Sequence, residues 1–302
     1  MRRLDPSELF ELDPDRPELD RPVLVQALDG FIDAGGGKRL AREHLLAMAP
    51  SQVVARFDVD QLLDYRARRP AMLFVEDHWE SYEDPELAIH LLHDADGTPF
   101  LLLAGPEPDV QWERFTEAVR MIVDRLGVRL TIGLNAIPMG VPHTRPTGVI
   151  AHGSRKDLVA GYEPWVNAVQ VPGTAGHLLE YRLGQGGYDA VGFAVHVPHY
   201  VSQTEYPAAA AALLAEVSKA GDLVLPLDLL EAAAATAREA IDEQVASAPE
   251  VAEVVQALEN QYDAFLAGRD ASLLDDADLP SADELGAELE RYLAEQSQDP
   301  PQ

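Results

Sequence analysis

The sequence predicts an α/β protein in which helices cover both faces of a mixed, mostly parallel sheet, with a helical extension at the C-terminus. Apolar runs typical of buried strands alternate with amphipathic runs of helical spacing, and this order favours parallel strands joined by helices. The composition then changes, because residues 226–302 hold 19 Asp and Glu against 3 Arg. We therefore expect an α/β core domain at residues 1–225 and an acidic helical extension at residues 226–302.

The first half of the chain begins with a strand, a turn and a helix. The apolar run at residues 22–28 meets the turn DGFIDAGGG, and residues 38–49 carry apolar side chains at helical spacing. A second strand is expected near residues 52–57. The runs AMLFVE, LAIHLLHD and TPFLLLAG then follow one another from residue 71 without an intervening helix. This order predicts a meander with some antiparallel pairing.

Helices and strands alternate in the second half. Residues 110–127 predict an amphipathic helix that Asp109 caps and Gly127 ends. The apolar run at residues 128–139 is typical of a strand buried on both faces. A helix, a strand and a helix follow at residues 174–187, 188–201 and 205–221. From residue 225 the pattern is helical to about residue 294, with an interruption near residues 268–280.

Composition and charge exclude several classes of function. With 302 residues, 47% of them hydrophobic, the chain can bury a large core, and the absence of cysteine excludes disulfides and thiolate chemistry. A formal charge of −29 opposes binding to nucleic acid or to an anionic membrane. The N-terminus alternates charge with proline and lacks the apolar core of a signal peptide, and no apolar run has the length of a membrane span. We expect a soluble cytoplasmic protein.

Four turns follow predicted core strands: DGFIDAGGG, GPEPD, PMGVPHTRP and VPHYV. The carboxyl ends of parallel strands meet at one edge of a sheet, where α/β proteins bind ligands. The prolines of the third turn would hold it extended and present its polar side chains in fixed positions. The candidate catalytic side chains at this edge are Asp29, Asp33, His143, Arg145 and His199. In the structural alternative, the prolines end a strand and His143 bonds a backbone carbonyl.

The glycines Gly35, Gly36 and Gly37 are candidate ligand-binding residues. The segment departs from a phosphate-binding P-loop, because Ile32 stands where the first glycine belongs and Arg39 stands where Ser or Thr would hold magnesium. The glycines either allow close helix-to-sheet packing or expose amides that bind an anion. The histidines are too scattered for a zinc site, and we expect neither a metal nor another cofactor.

A basic cluster within FDVDQLLDYRARRP is the second unusual feature. Tyr65, Arg66, Arg68 and Arg69 form the one dense basic patch of an acidic chain. The patch either pairs internally with carboxylates or anchors a subunit interface, where Arg and Tyr are enriched. The acidic tail has two similar interpretations, as solvated helix faces or as a docking surface for a basic partner.

These segments, in this order, resemble the proteasome assembly chaperone type family and its actinobacterial branch of uncharacterised members. The resemblance covers most of residues 20–265 and rests on LDGFIDAGGG, YRARRP, LLLAGPEPDVQWERF, GVPHTRP and AVHVPHY. It implies a three-layer α/β/α body similar to the phosphorylase/hydrolase-like fold, a C-terminal helical extension and homo-oligomers, among which a trimer is favoured. It implies no reaction.

Two classes of function therefore stay open. One is a non-catalytic, oligomeric binding or assembly factor with a protein partner. The other is a small-molecule enzyme acting on a nucleoside-like or anionic substrate through the polar strand ends. The first is favoured, because fold alone does not establish a reaction.

Overall fold

The computed structural model describes residues 4–162 and 168–271 of the chain. The chain divides into two compact units, Met1–Glu259 and Asn260–Gln302. The first unit holds the sheet and its helices. The described residues of the second unit, 260–271, are helical. The predicted domain boundary at residue 225 stays a prediction.

The described residues form ten strands and six α-helices. The strands are β1 Phe10–Leu12, β2 Val23–Asp29, β3 Gln52–Phe57, β4 Met72–Val75, β5 His78–Tyr82, β6 Ala88–His93, β7 Pro99–Pro106, β8 Leu130–Met139, β9 Val149–Gly153 and β10 Ala190–Pro198. The helices are α1 Gly37–Met48, α2 Trp112–Leu126, α3 Ala175–Gln185, α4 Pro207–Gly221, α5 Asp228–Ser247 and α6 Pro249–Ala271.

Eight strands form one mixed sheet in the order β1-β3-β6-β7-β2-β8-β10-β9. The central strands β7, β2, β8 and β10 are parallel neighbours, and antiparallel pairs flank them on both sides. The register places Gln26 of β2 opposite Gly133 of β8, and Gly133 opposite Gly192 of β10. This arrangement confirms the predicted mixed, mostly parallel sheet.

Helices cover both faces of the sheet. One buried cluster joins α1, α4 and the start of α5 to one face, and the other joins α2 and α3 to the opposite face. Each cluster consists of aliphatic and aromatic side chains that alternate along the strands, as expected for a sheet buried on both sides. The three-layer α/β/α architecture is confirmed, and the helices predicted after residue 225 are present as α5 and α6.

The structure corrects several local predictions. Asp109 does not cap α2: the helix begins at Trp112 after Gln111, and the Asp109 carboxylate accepts a hydrogen bond from the Asp64 N–H at 2.8 Å. Gly127 ends α2 in the left-handed region, as predicted, with φ 64. The run AMLFVE forms β4, but β4 pairs with β5 in a separate two-stranded sheet. Of the interruption predicted near residues 268–280, residues 268–271 belong to α6, and the remainder lies outside the described residues.

Among the helices that the structure describes, none combines the length and the apolar character needed to cross a membrane.

Candidate functional site

A cleft of about 410 Å³, counting its open mouth, lies beside β2 and β8. The starts of α1 and α3 and the end of β9 complete its wall. Its polar lining includes Gln26, Lys38, Glu107, Asn135 and His177. Three of these side chains are almost completely buried, at 6% exposure for each of Gln26, Lys38 and Glu107. Buried charged groups are uncommon and mark this cleft as a candidate site.

Lys38 lies in the first turn of α1, directly after the glycine run. Burial lowers the pKa of its ammonium group, and the carboxylates of Asp33, Asp29 and Glu107 oppose that shift. Glu107 follows β7 and is held by two backbone contacts. Its Oε1 accepts a hydrogen bond from the Ala175 N–H at 2.5 Å, and its own N–H donates to the Asp29 carbonyl oxygen at 2.8 Å. A buried cation and a buried carboxylate therefore share one wall of the cleft.

Two histidines and their partners also line the cleft. The Asn135 amide nitrogen lies 2.7 Å from His177 Nε2, so with the amide as donor the proton of neutral His177 is on Nδ1. Burial lowers the pKa of His177 and favours this neutral form. His152 Nδ1 lies 2.8 Å from Glu180 Oε1. Gly192 makes room for this pair, because a Cβ at that position would lie 2.2 Å from His152 Cε1.

The predicted acid–base residues Asp29 and Asp33 have structural partners. Asp29 pairs with the Arg42 guanidinium. The Asp33 oxygens accept hydrogen bonds from the N–H groups of Lys38 and Arg39 at 2.7 and 2.9 Å, which caps α1. Asp33 thus fixes the backbone of Lys38, and both carboxylates act electrostatically on its ammonium group. Their catalytic role stays a prediction.

The glycines of DGFIDAGGG allow this turn to pack closely against the start of α4. Gly35 and Gly36 lie in the left-handed region with φ 63 and 60. A Cβ on Gly35 would lie 2.6 Å from Tyr206 Cβ, and one on Gly37 would lie 2.9 Å from Ala209 Cβ. The Gly35 N–H donates to the Ser202 carbonyl oxygen at 2.7 Å. These contacts match the packing alternative, and the ligand-binding role of the three glycines stays a prediction.

The turn GVPHTRP contacts α5 and α6, the two helices that follow the core. The Tyr200 hydroxyl accepts from the His143 N–H at 2.8 Å and lies 2.6 Å from Nδ1, while Nε2 lies 2.9 Å from Asp242 Oδ1 of α5. Arg145 lies 3.4 Å from Glu259 of α6. The prolines therefore stiffen a segment that connects the sheet to α5 and α6.

His199 lies next to this connection. Its ring centroid is 5.4 Å from that of Tyr200, and burial lowers its pKa. The structure thus brings His143 and His199 together around Tyr200, while Asp29 and Asp33 contact α1. The predicted acid–base pairing of Asp29 or Asp33 with these histidines has no supporting contact among the described residues.

The cluster YRARRP is partly paired. The Tyr65 hydroxyl donates to Asp60 Oδ1 at 2.6 Å, and this hydrogen bond raises the pKa of the phenol. Arg68 pairs with Asp109 at 2.9 Å. The guanidinium groups of Arg66 and Arg69 form no ion pair with any residue that the structure describes. Both proposed roles of the cluster, internal pairing and interface, stay predictions.

The hairpin of β4 and β5 follows this cluster directly and exposes large apolar side chains. The exposed fractions are 49% for Met72, 53% for Leu73, 53% for Phe74, 62% for Trp79 and 47% for Tyr82. Phe74 and Trp79 stack edge to face at 5.1 Å. An apolar patch of this kind on a protein surface marks an interaction site.

Sequence reasoning did not identify the polar residues of the cleft. The signal for Lys38 was weak, since a lysine after a glycine run is usually solvated, and only the tertiary structure buries it. Glu107 lies in GPEPD, one of the four strand ends that the sequence predicted as a site edge. Among the described residues, no group of three or more His, Asp or Glu side chains is placed to hold a metal ion.

Comparison with known proteins places this fold in a class. The crystal structure of a Mycobacterium tuberculosis protein of unknown function is 52% identical, covers 90% of this chain and 95% of its own, and superposes with a TM-score of 0.83. A Corynebacterium glutamicum protein of unknown function is 40% identical over 85% of this chain and 98% of its own, with a TM-score of 0.81. The M. tuberculosis proteasome-assembly chaperone homologue is 28% identical over 77% of this chain and 99% of its own, with a TM-score of 0.71.

The class is thus that of the α/β/α proteins related to proteasome-assembly chaperones. Residues 27–245 match the PAC2 family, and the chain belongs to that family. This result confirms the resemblance found in the sequence. Among curated proteins, no sequence matches the chain significantly.

Proposed function

We propose that the chain is a non-catalytic, oligomeric binding or assembly factor that acts on a protein partner in the cytoplasm. The observation that carries this proposal is the exposed apolar surface of the β4–β5 hairpin. Membership of the PAC2 family and the similarity to a proteasome-assembly chaperone homologue support the same function.

The hairpin is built for contact with another chain. A two-stranded sheet alone is marginally stable in water, and every residue of β5 is exposed. Large exposed aromatic side chains lose little conformational entropy on binding and are frequent anchors of interfaces. A stable interface buries about 800 Å² on each partner, so the hairpin supplies the central anchor and neighbouring surface completes the contact.

We propose a second copy of this chain as the occupant, because local charge complementarity at the hairpin is available in it. The guanidinium groups of Arg66 and Arg69 lie beside the hairpin and form no ion pair with residues 4–162 or 168–271. The chain carries a net charge of −29, so another copy offers an acidic surface to these two cations. The resulting assembly is a homo-oligomer, for which we favour a trimer.

Sedimentation velocity tests this proposal. The wild-type protein should sediment as an oligomer, and the double variant Phe74→Ser, Trp79→Ser should sediment as a smaller species. Tyr181→Ser on α3 is the matched control, since Tyr181 is 59% exposed and lies outside the hairpin. A monomeric wild type, or a double variant that keeps the wild-type oligomer, would contradict the proposal.

A separate experiment tests whether the partner is a protein or a nucleic acid. Because the exposed charge is acidic, we expect no tight binding of DNA or RNA at physiological salt, and the triple alanine variant of the YRARRP arginines should leave that result unchanged. Proteins captured from the native host should differ between the wild type and the hairpin variant. Identical captured proteins would show that the hairpin is not the binding surface.

The second candidate is a small-molecule enzyme with a nucleoside-like or anionic substrate, and the cleft is the site that it would use. A buried lysine beside a buried carboxylate is a pairing that enzymes use for proton transfer. Incubation of a host metabolite extract with wild type and with Lys38→Met distinguishes the candidates. A metabolite consumed only by the wild type supports the enzyme, whereas equal profiles by mass spectrometry support the binding factor.

A further inference from the structure

The two ends of the β4–β5 hairpin expose side chains of opposite charge. The acidic tip, at the turn between the strands, consists of the exposed residues Glu76, Asp77 and Glu80. The arginine base, in the segment that leads into β4, consists of the exposed residues Arg66 and Arg69. The large apolar side chains of β4 and β5 lie between these two ends. The hairpin therefore presents carboxylates, apolar surface and guanidinium groups in this order along its length.

The carboxylates of the acidic tip have no lysine or arginine partner among the described residues. Asp77 and Glu80 each have an oxygen 3.1 Å from one ring nitrogen of His78, and Glu76 forms no ion pair within residues 4–162 and 168–271. The Asp77 side chain is 93% exposed. These carboxylates project from the chain on a turn and are available to cations of another molecule.

Neither guanidinium group of the arginine base pairs with a carboxylate in the part of the chain that the structure describes. Arg68, which lies between them in the sequence, pairs with Asp109 at 2.9 Å and ties the base to the start of α2. Glu83, whose N–H donates to the Ala71 carbonyl oxygen at 2.9 Å, and the exposed Asp84 add negative charge beside the base. These two carboxylates form no ion pair with the arginine base, so both of its cations stay available.

The tip and the base of one hairpin lie too far apart to pair with each other. The chain runs along β4 from Ala71 at the base to Glu76 at the tip, and at about 3.3 Å per strand residue this distance is roughly 16 Å. A salt bridge needs its charged atoms within about 4 Å. The opposite charges of the two ends therefore become partners between copies of the chain, not within one copy.

We infer, resting on the proposed association of copies through this hairpin, that the contact is head-to-tail: the acidic tip of one copy lies against the arginine base of the next. The apolar side chains between the two ends pack against those of the neighbouring hairpin. In a closed ring each copy gives one tip and receives one, so the charges are paired in every copy. A tip-to-tip contact would bring like charges together and leave the arginine bases without partners, which is unfavourable.

Charge reversal with rescue tests this orientation, by sedimentation velocity of the full-length protein over a range of concentrations. The base variant, Arg66→Glu with Arg69→Glu, should raise the dissociation constant of the oligomer at least about tenfold, because each acidic tip then meets carboxylates. Adding Glu76→Arg and Asp77→Arg restores opposite charges and should return the dissociation constant to within about threefold of the wild-type value. A four-charge variant that associates no better than the base variant would overturn the inference.

Arg21→Glu with Lys156→Glu is the matched control. Both residues are exposed, lie outside the hairpin and change the net charge of the chain by the same amount as the base variant. Added negative charge by itself strengthens repulsion between copies, and this control should raise the dissociation constant by less than about threefold. A monomeric wild type would overturn the proposed function and this inference together. A wild-type oligomer that Phe74→Ser, Trp79→Ser dissociates, but that the base variant affects no more than the control does, would overturn the head-to-tail contact alone.

Disulfide trapping gives an independent measurement, because the chain contains no cysteine. Asp77→Cys places a thiol at the tip, and Ala67→Cys places one at the base without removing an arginine. A disulfide needs Cα atoms within about 7 Å, so the two thiols of one hairpin do not join. On oxidation, a chain with both changes should form covalent oligomers in which mass spectrometry finds position 77 joined to position 67, and each single variant should stay uncrosslinked. Tip-to-tip crosslinks in Asp77→Cys alone, or no crosslinks in the double variant, would overturn the inference.

Discussion

Replacing His143 with alanine should lower the free energy of unfolding by about 3 kcal/mol, because this side chain connects the sheet to α5. His143 is 4% exposed. The Tyr200 hydroxyl donates to Nδ1 at 2.6 Å, which leaves the proton of the neutral ring on Nε2, where it donates to Asp242 at 2.9 Å.

The predicted loss of unfolding free energy follows from these two hydrogen bonds and from the packing of the buried ring. A neutral hydrogen bond contributes about 1 kcal/mol and one to a charged group about 1.5–3 kcal/mol, with the lower end appropriate here because the Asp242 side chain is 52% exposed. The lost packing of a buried ring adds to the destabilisation, since the surroundings relax only partly. The total is about 3 kcal/mol.

Urea denaturation followed by circular dichroism measures this change. His93→Ala, at an exposed histidine, is the control and should change stability by less than about 0.5 kcal/mol. A double-mutant cycle with Asp242→Ala should give a coupling energy of about 1 kcal/mol. A His143→Ala variant as stable as His93→Ala, or a coupling energy of zero, would refute the connecting role of this turn.

Three further predictions concern the fold. Gly105→Ala should abolish soluble expression, because its Cβ would lie 2.2 Å from the Glu86 carbonyl oxygen. Gly97→Ala is the control, since Gly97 also has a positive φ but its Cβ would meet nothing within 4 Å. This control should lower the free energy of unfolding, measured by urea denaturation, by only about 1 kcal/mol. Burial lowers the pKa of His196 to about 4, so the neutral ring stabilises the fold above its unfolded pKa near 6.5, and this contribution is lost as the pH falls toward 4. Between pH 7 and pH 5 the wild type should therefore lose about 2 kcal/mol more than His196→Phe, and equal losses would contradict the assignment. A chain that ends at residue 270 should remain a soluble oligomer at low and high salt, as measured by size-exclusion chromatography with light scattering. A chain that ends at residue 225 should aggregate, because apolar core surface becomes exposed. A soluble, unchanged oligomer after this longer deletion would show that the helices cover no core surface.

Hydrophobic periodicity was sufficient to predict the central part of the fold. The strands β2, β7, β8 and β10 are long, apolar and separated by helices or turns with clear sequence signals. The short edge strands β1 and β9 were missed, because an edge strand of 3 or 5 residues carries little apolar pattern. The run that forms β4 has a strand pattern, but no local signal shows that it leaves the main sheet.

The candidate site was less predictable than the fold. The sequence placed polar residues at the strand ends but could not assign their partners, since Asp33 caps a helix and His143 contacts α5 through residues distant in the chain. Lys38 was missed because its burial depends on how α1, β2 and β7 pack together. A capping carboxylate and a catalytic one have the same sequence signature, and only tertiary contacts distinguish them.

Photo-crosslinking from the tip of the hairpin tests the central claim most directly. A photoreactive benzoylphenylalanine replaces Trp79, and equal amounts of light and ¹⁵N-labelled chains are mixed, allowed to exchange and irradiated. Crosslinked peptides that join a light to a heavy chain at this position should form as often as those that join chains of the same label, because the hairpin is proposed to dock on a second copy. Crosslinks found only within single chains, or no crosslinks at all from a folded protein, would contradict the proposed oligomeric binding factor.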